Sequence, residues 1–145
     1  MKVMRFFLIL LLVTLFSGSA LAEMRRFTGF SLDLAPGWKA EEVSGPDNLK
    51  AVIINHPQKK TMLTIGLEPL NGKSLKEKTE DLAKEVKGES EYLGDGVYLV
   101  AFTNQEGVDT FITLVAANEG REYLAAAIIG DPTDPDVQHM LDSIE

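Results

Sequence analysis

The chain has 145 residues, with 22 acidic side chains against 14 basic ones, a net charge of −8 and no cysteine. The missing thiol excludes cysteine nucleophiles, disulfide frameworks and lipid attachment at a cysteine. The acidic excess argues against nucleic acid and anionic lipid surfaces as partners.

Met1 to Ala22 reads as a cleaved export signal. Lys2 and Arg5 give a positive start, Phe6 to Phe16 is an apolar run, and Ala20-Leu21-Ala22 is a small-x-small cleavage site. That apolar run is well short of the roughly 20 residues that span a bilayer. Processing before Glu23 would leave 123 residues and, with Lys2 and Arg5 gone, a charge of −10. That length suits one domain, residues 23–145, able to bury its own core without staples. A cysteine-free exported chain fits a periplasmic or secreted location, with no membrane span in the mature protein.

Arg25 to Leu34 is expected as a first strand, with Phe30, Leu32 and Leu34 alternating against Ser31 and Asp33. Ala35-Pro36-Gly37 breaks it, and Trp38 opens a second strand to Val43. Trp38, the single tryptophan, is expected to plug one end of the core; stacking on a ligand is the alternative. After a loop at Ser44–Asn48, strands are expected over Leu49–Asn55 and Thr61–Leu67, turned at His56–Lys60. Pro69 is expected to end the pairing, because proline donates nothing to a ladder.

Ser74 to Lys87 predicts a helix. Ser74 and Glu77 form a capping-box pattern, and Gly88 stands where a left-handed C-cap is expected. Leu75, Leu82, Ala83 and Val86 share a face with Thr79 beneath, and this narrow stripe must dock on a sheet. Glu89–Leu93 is a short strand, and Gly94-Asp95-Gly96 reverses the chain into the stretch that organises the rest.

From Gly96 to Gly130, three apolar or β-branched runs alternate with Asn-Gln-Glu-Gly and Asn-Glu-Gly, the pattern of an antiparallel meander. Val97, Leu99 and Ala101 lie on one face and Tyr98, Val100 and Phe102 on the other, so cover is expected on both. The small side chains of Ala125, Ala126 and Ala127 either let a helix approach closely, which dense interiors favour, or line a shallow hollow. Asp134 suits the N-cap, Pro135 the first position and Asp136 the positive end of a last helix carrying Val137, Met140, Leu141 and Ile144. The fold class expected is therefore α+β: an antiparallel sheet of about six to seven strands flanked by two or more helices.

Chemistry is sparse. The two histidines, His56 in a turn and His139 on the outer flank of the last helix, are poorly placed for a triad, and no phosphate loop, serine elbow or zinc motif occurs. No catalytic residue and no cofactor are expected. Asp131, Asp134 and Asp136 offer three carboxylates in six residues, which hard cations favour. The loop lacks the glycine and terminal glutamate of a calcium loop, and helix capping accounts for two of the three.

The segment Phe30-Ser-Leu-Asp-Leu-Ala-Pro-Gly-Trp38, with four strands, a helix, a second meander and a final helix, resembles the PsbP-like family. That group includes photosystem oxygen-evolving accessory proteins, a yeast Ran-binding import factor and the bacterial periplasmic DcrB-like proteins. The resemblance implies an antiparallel sheet flanked by helices and a role in partner binding or assembly; it carries over no functional residue. DcrB-like proteins are often lipoproteins, and this chain lacks the lipidation cysteine. The function expected is a non-enzymatic exported accessory protein binding a protein partner, with small-ligand or divalent-cation binding as the alternative.

Overall fold

The computed structural model describes residues 22–45 and 50–145. The signal segment before Ala22 and the loop start of the third expected strand, including Leu49, lie outside the described residues. Strands β1 (Glu23–Phe27) and β2 (Phe30–Leu34) form an antiparallel hairpin. The sequence reading of one continuous strand from Arg25 is corrected here. Thr28-Gly29 is a two-residue turn, and Gly29 takes φ +92°, a conformation that L side chains resist.

The main sheet contains β3 (Lys39–Ser44), β4 (Lys50–Asn55), β5 (Met62–Pro69), β6 (Glu89–Gly94), β7 (Val97–Thr103), β8 (Asp109–Ala117) and β9 (Glu122–Ile129). Its order is β3-β4-β5-β9-β8-β7-β6, and every pairing is antiparallel. Two meanders are thus joined edge to edge, β5 against β9, after helix α1 (Leu75–Val86) has crossed one face. Helix α2 (Pro135–Asp142) follows β9. The expected α+β class, strand number and two helices are those observed.

Three local expectations change. Trp38 precedes β3 instead of opening it. Pro69 remains in β5, paired with Glu122 of β9; pairing with β4 has already ended at Gly66, so few ladder bonds are at stake. The left-handed residue after α1 is Lys87, φ +58°, not Gly88. Gly88 is small for another reason: a Cβ there would stand 2.5 Å from the Ala101 carbonyl oxygen. The capping box itself forms. Glu77 N–H donates to Ser74 Oγ at 3.1 Å, and Ser74 N–H donates to Glu77 Oε1 at 2.9 Å.

The sheet is covered in two offset halves. On one face α1 packs over β6, β7 and β8, burying Ala83 and Thr79 against Val100 and Leu114. On the other face the β1–β2 hairpin and α2 cover β4, β5 and β9, where Leu32, Trp38, Val137 and Met140 meet Ile54, Leu63 and Ile65. Among the described residues each layer leaves its diagonal opposite open, and both openings are concave.

Candidate functional site

The larger opening lies on the face opposite α1. Val97 and Leu99 of β7 project there beside Thr113 and Val115 of β8, because directly opposed residues share a face: Val97 faces Val115 and Leu99 faces Thr113. Leu124, Ala126 and Ile128 continue the floor on β9. The far wall is the chain end. Ser31 and Glu145 exchange backbone hydrogen bonds of 2.9 and 3.0 Å, which tie the last residue to the edge of the hairpin. Asp33 N–H donates to Ser143 Oγ at 2.8 Å, fixing Leu141 and Ile144 along that wall.

The result is an open groove of about 890 Å³, lined chiefly by aliphatic side chains together with Phe30 and Phe111. The expectation of cover on both faces of β7 is corrected: α1 covers Val100, which is fully buried, whereas Val97 and Leu99 remain partly exposed. The physical reason is where the helices land: α1 lies on the opposite face, and the eight residues of α2 pack with β2. The groove's charge is one-sided. Asp142 and Glu145 line one wall, among the described residues no lysine or arginine lines the groove, and Glu91 stands opposite Leu99 on the outer strand, on the same face.

The second opening is a hollow of about 420 Å³ beside α1. Its floor is a row of small residues, Ala51, Gly66 and Ala125, that face one another across three strands, with Thr64 and Ala127 alongside. Here the less favoured reading of the alanine strand holds. Helix α1 docks on β6, β7 and β8, and Ala125 and Ala127 line a hollow instead of receiving the helix. Lys78, Asp81 and Glu85 of α1 form its wall. Tyr123, 8% exposed, closes one end; burial first, then Glu68 and Glu85, push its hydroxyl up to about 12.

The residues singled out in the sequence gather elsewhere, around the N-terminus of α2. Trp38 is 4% exposed, and its Nε1–H donates to Asp136 Oδ2 at 2.8 Å. Lys59 Nζ donates to Asp134 Oδ2 at 3.0 Å and to Asp136 Oδ2 at 3.1 Å, and stands 5.6 Å from the indole centroid. His56 meets the indole edge-on at 5.6 Å, with its Nδ1 accepting from Gln58 N–H. The tryptophan is therefore a plug, pinned from several sides. Asp136 is held below the usual carboxylate range, first by the Trp38 N–H and then by Lys59.

The three aspartates do not converge. Asp131 accepts from the Thr133 backbone and hydroxyl, which lowers its pKa, while Asp134 caps α2 through Asp136 N–H. Among the described residues no group of three or more carboxylates and histidines is arranged to hold a metal ion. No helix among them is long and apolar enough to cross a membrane. His139 lies on the flank of α2 with Nε2 3.8 Å from Asp33 Oδ2.

Sequence reasoning asked for cover over Val97 and Leu99 but missed the groove; the unmet demand was the available signal. Fold and site together define an α+β antiparallel-sheet domain with an open apolar groove. No known family's sequence pattern matches the chain, and no curated protein matches it. Among solved structures it is similar to the Saccharomyces cerevisiae Ran-binding protein Mog1p. That similarity has a TM-score of 0.49 at 13% identity and covers 81% of this chain and 89% of that one.

Proposed function

We propose that the protein is a non-enzymatic accessory protein, exported to a periplasmic or secreted location, that binds a protein partner through the groove. The observation that carries partner binding is the apolar face of β7 and β8 that the described residues leave uncovered, concave and about 890 Å³ in volume. Folded chains keep contiguous exposed apolar surface small unless it meets something. Export is supported by the Met1–Ala22 pattern, and kinship with the PsbP-like and DcrB-like proteins by Phe30–Trp38 and the order of elements. A non-catalytic role is supported by how the two histidines are used: His56 accepts from the Gln58 backbone, and His139 lies beside Asp33.

The test is site-directed photo-crosslinking in the native host. A crosslinker at Leu93 or Leu99, both in the groove, should capture one discrete partner; the same group at exposed Lys60 should not. Equal capture from all three positions would refute the assignment. An intact mass that retains Met1–Ala22 would refute export.

The hollow supports a second reading, binding of a small ligand. The specific observation is its floor of Ala51, Gly66 and Ala125, which leaves space beside the buried Tyr123 hydroxyl. Crosslinks confined to the groove, with no ligand co-purifying, would leave partner binding as the function.

A further inference from the structure

We infer that the groove takes a basic amphipathic α-helix of about three turns, presented by the partner. This deepens the partner-binding reading and rests on it. Three features of the structure point the same way.

The floor comes first. It is the face of β7, β8 and β9, not an edge, and both neighbours of β7 and of β8 are already paired. An extended peptide laid there would find no backbone partners, whereas a helix satisfies its own.

Size comes second. The twelve residues of α1 lie on the opposite face of β7 and β8, so two of the three floor strands already carry one such helix on their other side. Twelve residues make a cylinder about 18 Å long and about 10 Å across, roughly 1,400 Å³. The groove, at about 890 Å³, would take the apolar side of that cylinder and leave the polar side in water.

Charge comes third. Asp142 and Glu145 stand on one wall and Glu91 on the opposite rim, and among the described residues the lining holds no lysine or arginine. A helix with lysines or arginines flanking an apolar stripe would meet carboxylates on both sides. A second copy of residues 23–145, carrying −10, would meet repulsion.

The test uses residues 23–145, which contain every described strand and helix. The probe is a labelled 14-residue peptide with a leucine stripe flanked by lysines, followed by fluorescence anisotropy at low and physiological salt. Binding should weaken as salt rises. Leu99→Asp should abolish it. The triple variant Glu91→Gln, Asp142→Asn, Glu145→Gln, confined to exposed positions, should weaken it about tenfold and flatten the salt dependence. Three results would overturn the inference: equal binding of a peptide with glutamates replacing the lysines, equal binding of one broken by a central proline, or binding untouched by both variants. Dimerisation through Leu99, or capture of dodecanoate but not of the peptide, would also overturn it by giving the groove another occupant. Should the peptide fail while groove crosslinks still capture a partner, the partner-binding reading stands and the helix assignment falls.

Discussion

Trp38→Phe separates what the indole contributes as volume from what it contributes as a donor. The ring is 4% exposed, and its N–H···O contact of 2.8 Å ends on a carboxylate. Hydrogen bonds to charged groups contribute about 1.5–3 kcal/mol, and this one belongs at the low end because the Asp136 side chain is 37% exposed. Loss of the second ring adds about 1 kcal/mol of transfer and packing energy. The expected cost is therefore about 2–3 kcal/mol at neutral pH, against about 3–5 kcal/mol for Trp38→Ala. The pH dependence identifies the donor. A carboxyl held below its unfolded value gives stability that is complete above the ordinary carboxylate range and is lost as pH falls through the depressed folded value. In the wild type that loss falls below about pH 4; without the Trp38 N–H, the largest cause of the depression, it should be shallower. Urea unfolding followed by far-ultraviolet circular dichroism, at neutral pH and at intervals below pH 4, measures both. An unchanged acid slope in Trp38→Phe would refute the hydrogen-bond account, and strong iodide quenching of the wild-type indole would refute its burial.

Other perturbations test the frame around the two openings. Ser74→Ala should cost about 0.5–2 kcal/mol and Ser74→Gly only a few tenths; equal costs in denaturant melts would refute the capping box. Gly88→Ala should destabilise by about 1–3 kcal/mol, since its Cβ would press on the Ala101 backbone; a neutral melt would contradict the close approach of Gly88 to β7. Lys87→Gly should stabilise by about 0.5–1 kcal/mol by relieving a left-handed lysine, and a lowered melting temperature would speak against that conformation. Tyr123 should ionise near 12, so its contribution to stability holds below about pH 10 and is lost as pH climbs towards about 12. An alkaline absorbance step near 12 that vanishes in Tyr123→Phe checks this; the same step vanishing near 10 would mean the hydroxyl is not buried.

Local pattern determined much of this protein. The Gly96–Gly130 meander follows from β-branched runs cut by Asn- and Gly-rich turns, and both helices begin where Ser74 and Asp134 place a capping oxygen. Those signals act over a few residues, so they survive without knowledge of the fold. Thr28-Gly29 is a local turn signal inside the Arg25–Leu34 stretch read as one strand, and it marks the reversal between β1 and β2. Tertiary structure decided the rest, because coverage of a sheet depends on where helices land. Nothing local says that α1 docks over β7 and not over Ala125, or that α2 stops short of β7. Trp38 finds Asp136 across 98 residues, and Ser31 pairs with Glu145 at the chain end. The groove exists because two cover layers are offset across seven strands, a property of their arrangement that no stretch of the chain carries by itself.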